Sequence, residues 1–558
     1  MVVTTVASLK PIRMLKDSKG KLYYIGESAS LSYLQVVRRS VAETVGACAF
    51  TLDTLGHQMI EVEMSANLHA IQSEPYLDRD SCLALVPQFE LAVSGVLDLF
   101  DTACIHARMM IWLDDPNKSN TKDAPILFLI LAIASLASAA DTAQEDNAER
   151  CFTFGRQQAI LRLLDCPSLE TVQAFSLITY YMIMSCRCNG AFTNLGIAAR
   201  TAYSLGIHRH ETNSSFARET GIARERAWKS LRVCDLFLSA TMGRPPATSE
   251  TDCNIPWSDL ATLAEDPDIS VQHQAASAIF RVCLIFERIL IEVYSQKTMS
   301  LDLAASISSQ HREWSESLAA MLKVDRLVKT ETSMGRSAQK LGSHIVSMAF
   351  YYSLILLSRP FLAHYTSASH TTEEWLQDTS PASIAIYADA CTDAAIKGIQ
   401  LASNIAFDDR MPKRQPLIIN SVFISALCLG HAHLGDYDQR GWPIRSSLDT
   451  AIAILQRLSG RNPQAACYVE ICEHLREATA MHVQKRTKTL LKDTEEQLRS
   501  VFGDVQSALN QCDAETEEDM FGVQENHDDG LFLFSALDFD YPGDYPDPDT
   551  AQIWEPSF

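Results

Sequence analysis

At 558 residues the chain is long enough for about three or four domains, and its 47% apolar and 21% charged residues exclude a wholly disordered, collagenous or disulfide-stapled protein. Its 47 Lys and Arg against 69 Asp and Glu give a net charge of −22, a sign that opposes unaided binding to phosphate backbones. Residues 513–558 hold 14 Asp or Glu and no Lys or Arg, which leaves −8 for the rest and predicts a near-neutral body with an acidic tail.

In chain order, Met1 to Leu9 is only mildly apolar, and Lys10, Arg13 and Lys16 follow it rather than precede it, so no secretory signal is expected. The apolar run Ala124 to Ala140 contains Pro125, Ser135 and Ser138 and falls short of the roughly 20 residues a bilayer needs; it reads as a buried helix, with no membrane association. A helix is predicted after Pro167, capped by Ser168, with Glu170 at its positive end and Val172, Phe175, Ile178 or Leu177, and Tyr181 on one face. A second runs from about Ala191 to a stop at Gly206. A third turns Trp228, Leu231 and Leu238 inward and ends before Gly243-Arg244-Pro245-Pro246. Polar breaks are expected at 114–123, 141–149, 211–221, 365–383 and 408–416. Alternating strand patterns are nearly absent. The fold class is therefore all-α, a large single body of packed antiparallel helices. Its parts are a flexible leader (1–16), a lead-in segment (17–75), a core (76–300), a C-terminal helical part of the same body (301–512) and a disordered acidic, aromatic tail (513–558).

Enzymatic templates fail in turn. There is no Gly-x-Ser-x-Gly elbow, P-loop, His-Glu-x2-His pair or Gly-x-Gly-x2-Gly turn. The pairs Asp114-Asp115 and Asp408-Asp409 lack the third carboxylate of a magnesium–diphosphate site. Two His-x-His units, His208/His210 and His431/His433, have no accompanying Cys-x2-Cys pair, and on a helix residues two apart do not share a face; no metal site is expected. The 15 cysteines follow no regular spacing, which suits a reducing, intracellular setting. No catalytic residue is assigned. Asp235 lies near the apolar face of the Trp228 helix, where an unpaired carboxylate is costly; a buried ion pair with Arg200 or Arg244 is expected.

Several motifs combine. Thr171-Val172-Gln173-Ala174, Gly196-x-Ala198-x-Arg200-x-Ala202, Leu205-Gly206-Ile207-His208-Arg209, Glu225-Arg226-x-Trp228, Asp235, Gly243-Arg244-Pro245 and Asn254-Ile255-Pro256 follow one another in the order and spacing of the regulatory (middle homology) domain of fungal zinc-cluster transcription factors. The chain resembles that family, of the xylanolytic-activator type, over about residues 17–480. Upstream, Asp17-x-Lys19-Gly20, Tyr24-Ile25-Gly26-x-Ser28 and Arg38 are similar to the family's lead-in. Downstream, Leu356-x2-Arg359-Pro360-Phe361 resembles a helix end, and Cys391-x2-Ala394-Ala395 the helix after it. Ala227 and Ser358 depart from the usual basic residue and histidine. No cysteine precedes Cys48, so the six-cysteine zinc module that the family places ahead of this region is not among these residues, and no cofactor is expected here.

The resemblance implies a nuclear regulator of RNA polymerase II genes whose DNA contacts are indirect or made by a missing N-terminal module. It also implies pairing with itself or with zinc-cluster factors, and response to a small-molecule inducer. The tail interleaves Phe532, Phe534, Leu537, Phe539 and Trp554 with Asp538, Asp540, Asp544 and Glu555, the mixture of acidic activation segments that coactivator grooves capture. Two other readings stay open: an all-α enzyme acting on an apolar metabolite, and a scaffold or inhibitor that dimerises with full-length relatives.

Overall fold

The computed structural model describes residues 14–503 except 18, 54–60, 63–73, 140, 164–165, 256–270, 320–332, 367–379, 413, 436 and 438. The chain divides into two compact units, Met1–Arg486 and Thr487–Phe558. The regular secondary structure among the described residues is helical apart from one antiparallel hairpin, β1 (Met14–Lys16) and β2 (Leu22–Tyr24), with Met14 opposite Tyr24. Three-residue strands are too short to show alternation. Their turn is local chemistry: the Asp17 carboxylate accepts the backbone N–H groups of Lys19 (2.9 Å) and Lys21 (2.8 Å), and Gly20 takes a left-handed φ of +78°.

Seventeen α-helices follow among the described residues: α1 (Ser30–Thr44), α2 (Ala49–Leu52), α3 (Arg79–Val93), α4 (Thr102–Leu113), α5 (Ala124–Ser138), α6 (Thr142–Leu163), α7 (Leu169–Met184), α8 (Cys188–Ser204), α9 (His210–Ser214), α10 (Arg218–Met242), α11 (Val271–Arg288), α12 (Leu301–Ala319), α13 (Ser333–Thr366), α14 (Pro381–Ala406), α15 (Pro416–His433), α16 (Ile444–Ser459) and α17 (Pro463–Phe502). A π-helical turn, Ile289–Ser295, extends α11. Two breaks expected from polarity are mostly helical: α6 begins at Thr142, and 211–221 contains most of α9 and the start of α10. In α6 the charged Glu145 and Glu149 face arginines, which sequence polarity alone does not reveal.

The three caps expected from the sequence are formed. The Ser168 hydroxyl accepts from Thr171 N–H at the start of α7, and Gly206 (φ +65°) and Gly243 (φ +67°) end α8 and α10 in the left-handed conformation. α7 departs from the single inward face: every residue from Thr171 to Met184 is buried, because α5, α6, α8 and α10 all pack against it. α5 is buried from Ala124 to Leu136 and α15 from Leu417 to His433. α13 lies along α14, and α14 and α15 pack in turn on α16, so the core is continuous across unit 1. Two helices, Ser337–Thr366 within α13 and α15 itself, have the length and apolarity to cross a membrane; 78% and 94% of their most apolar stretches are buried in the fold.

Candidate functional site

The lead-in and the Gly243-Arg244-Pro245 turn form one structure. Gly26 N–H donates to Met242 O (3.1 Å) and the Ser28 hydroxyl to Ala240 O (3.2 Å), docking the lead-in on the end of α10. A Cβ on Gly26 would lie 1.8 Å from Gly243 O, so backbone meets backbone here and no side chain fits. Arg244 fixes the joint from the side, donating to Tyr24 O (3.1 Å) and to Asn189 Oδ1 (2.6 Å) with its guanidinium 5.0 Å from the Phe192 ring. Pro245 is exposed and carries the chain away from the helix.

Asp235 is fully buried, and the ion pair expected with Arg200 or Arg244 does not form. Arg200 is exposed, and Arg244 serves the lead-in. The Asp235 carboxylate instead accepts from the N–H groups of Ala247 (3.0 Å) and Thr248 (2.7 Å) and from the hydroxyls of Thr248 (2.6 Å) and Ser239 (3.4 Å). Burial still raises its pKa. Fixed dipoles in the turn after α10 take the place of a cation, which sequence reasoning missed because Ala247 and Thr248 carry no charge.

The ion pairs of α10 use other residues. Arg226 bonds to both carboxylate oxygens of buried Asp98 and to Phe100 O (2.8 Å), while His273 reaches Asp98 at 2.7 Å; burial would raise the Asp98 pKa, but these partners hold it down. Fully buried Arg232 meets Glu287 and Glu250. Trp228 donates to Cys253 Sγ (3.1 Å) and packs with Tyr203 and His208, so His208 belongs to an aromatic cluster. His431 lies between the Tyr33 and Ser40 hydroxyls, 3.0 Å from each, and burial pushes its pKa down to about 4. Among the described residues no group of three or more His, Cys, Asp or Glu is placed to hold a metal ion.

Arg359-Pro360 does not end a helix: α13 continues to Thr366. A proline inside a helix leaves the carbonyl four residues earlier without its N–H. Here that carbonyl is Leu356 O, and the Tyr294 hydroxyl, from the π-helical turn, donates to it at 2.7 Å. Arg359 Nε donates to the same hydroxyl oxygen (2.8 Å) and Nη2 to Glu27 O (3.1 Å), with the guanidinium over the Tyr33 and Tyr294 rings at 5.2 and 5.0 Å. A buried cation, a proline and a π turn thus form one unit that holds the lead-in against α13. The tail residues Phe532, Phe534, Leu537, Phe539 and Trp554 lie outside the described residues.

A cleft of about 590 Å³ opens in unit 1 between α6, α7 and the segments before α15 and α17. Arg187 forks onto Glu149 (2.9 and 2.8 Å), and the Tyr181 hydroxyl donates to the same carboxylate (3.0 Å). Arg414 (2.7 Å) and Arg461 (3.2 Å) share one oxygen of Glu145. The Glu145 and Glu149 carboxylates are thus tied to arginines and, for Glu149, to a tyrosine hydroxyl.

Residues 102–324 match the family model of the fungal specific transcription factor domain. The chain is similar to Filamentous growth regulator 27 of Candida albicans, 24% identical over 480 residues covering 82% of this chain and 60% of the relative. It is also similar to the transcriptional activator protein acu-15 of Neurospora crassa, 25% identical over 61% of this chain and 38% of that protein. A third relative, Activator of stress genes 1 of Saccharomyces cerevisiae, is 21% identical over 52% of this chain and 33% of its own length. The chain thus spans about 60% or less of these relatives.

Proposed function

We propose that the chain is a nuclear regulator of fungal transcription whose helical body carries the regulatory domain and whose acidic, aromatic C-terminal segment recruits coactivators. The observation that carries this reading is the domain match at residues 102–324, within which the sequence motifs form the α10 packing joints described above. Relatives named as transcriptional activators support it. So does the tail composition, in which 14 carboxylates keep Phe532, Phe534 and Phe539 in water until a partner groove with a basic rim takes them up. The net charge of −22 opposes direct contact with DNA by these residues, so promoter contact falls to a zinc module or to a dimer partner that supplies one. No enzymatic activity and no cofactor bound by these residues are part of the proposal. Fusing residues 513–558 to an unrelated DNA-binding module tests the tail: reporter output that falls severalfold on changing Phe532, Phe534 and Phe539 to Ala is expected, and output no higher than that of the module alone rejects it.

A further inference from the structure

We infer that the end of α17, residues 487–502, is a self-association surface on which a second copy of the chain lays its own 487–502 segment in antiparallel orientation. The helix runs unbroken to Phe502, yet every residue from 487 to 502 is exposed. Helices in water draw most of their stability from burying one face, and this stretch buries none within its own chain. Its apolar residues nevertheless form a face. Thr487, Leu491, Thr494, Leu498 and Val501 recur at intervals of four, three, four and three residues, the seam of a paired helix, and Leu490 and Phe502 flank it. Leu490, Leu491, Leu498, Val501 and Phe502 are 51, 59, 51, 71 and 74% exposed, an apolar stripe of the kind that marks an interface. The Thr494 hydroxyl donates to Leu490 O of its own helix (2.7 Å), so this residue offers the seam its methyl group.

Charge identifies the occupant. The chain as a whole carries −22, which opposes the approach of a second copy, but residues 487–502 balance Lys488, Lys492 and Arg499 against Asp493, Glu495 and Glu496. The balance is uneven along the helix. Lys488 and Lys492 make 487–492 cationic with no carboxylate, and three carboxylates against Arg499 make 493–502 acidic. A parallel pair lays like halves together. An antiparallel pair lays each cationic half on the partner's acidic half and also opposes the two helix dipoles. In that orientation the seam matches Thr487 with the partner's Leu498 and Leu491 with the partner's Thr494, a large side chain against a small one at each level. The same register sets Lys488 beside the partner's Glu495, twice by symmetry. A slip of one heptad sets Glu495 against the partner's Glu495 instead, so charge fixes register as well as direction. The rival occupant is the chain's own acidic segment, but residues 513–558, with 14 Asp or Glu and no Lys or Arg, match a stripe of zero net charge poorly. The inference does not rest on the activation role proposed for that segment.

The test is sedimentation velocity of the full 558-residue chain over a range of concentrations, and a reversible monomer–dimer equilibrium is expected. Leu491→Asp combined with Leu498→Asp, both at exposed positions and checked for an unchanged fold by circular dichroism, is expected to weaken association by about tenfold or more. Lys488→Glu and Glu495→Lys are each expected to weaken it severalfold, and the two together in one chain to restore it, because each reversed charge then meets its complement on the partner. Residues two turns apart on one helix do not reach each other, so restoration reports a contact between copies. A chain that stays monomeric at every concentration overturns the inference, and hydrogen exchange over 487–502 then tells a bare stripe from one covered by residues 513–558. A dimer that the two Asp changes leave intact overturns it as well, and association that the double charge reversal does not restore overturns the antiparallel register. Reporter output does not enter these measurements, so this inference and the proposed function fail separately.

Discussion

A buried carboxylate needs donors, and Asp235 obtains them from a turn. Replacing it with Ala leaves the Ala247 and Thr248 N–H groups and the Thr248 hydroxyl unmet in the core, an expected loss of about 2 to 4 kcal/mol in urea unfolding. Asn keeps one acceptor and removes the charge that burial opposes, so Asp235→Asn is expected to cost less than half as much. If the two variants lose equal stability, the donor account of this site is wrong. Two histidines set a pH dependence of defined sign. His431 and His311 are pushed by burial from about 6.5 down to about 4, so the unfolded chain takes up protons that the native state refuses. Their contribution is complete above pH 6.5 and is lost as pH falls toward 4. Unfolding free energy is expected to drop on acidification from pH 6.5 to 5, and His431→Gln to flatten that slope by one proton, about 1.4 kcal/mol per pH unit. An unchanged slope contradicts a neutral, buried His431.

Among the elements, α13 shows why a helix-breaking signal was misleading. Pro360 ends a helix only when nothing else satisfies the carbonyl four residues back, and the group that does so, Tyr294, is 62 residues from Leu356 in sequence. Tyr294→Phe is expected to cost about 2 kcal/mol, since it strips both Leu356 O and Arg359 Nε. Pro360→Ala restores the missing N–H, so the same Tyr294→Phe change is expected to cost about 1 kcal/mol less in that background. Additive losses would show that hydroxyl and proline are not linked. By contrast, the stops at Gly206 and Gly243 and the Ser168 cap were legible, because each depends on residues within one helical turn. The Gly26–Gly243 contact was visible only as two motifs of a resemblance; what joins them is a backbone approach that no spacing encodes. The cleft left no trace in sequence, since Arg187, Arg414 and Arg461 come from three distant segments and each reads alone as a surface charge.

Across the whole molecule, composition carries the most information. Apolar spacing established the all-α body, and the domain at residues 102–324 agrees with the family resemblance drawn from short motifs. Long-range polar pairing was not recoverable in the same way: Asp98 with Arg226, Arg232 with Glu287 and Glu145 with Arg414 join residues 128, 55 and 269 positions apart. Those pairs join segments of the body that are distant in sequence and so fix its arrangement, while the role proposed for the tail is to meet other proteins. The most direct measurement tethers the full 558-residue chain to a promoter through an unrelated DNA-binding module and compares reporter transcription with and without residues 513–558. Output well above the module alone, falling to that baseline when the tail is removed, is expected. Output at baseline for both chains, or unaffected by loss of the tail, contradicts it.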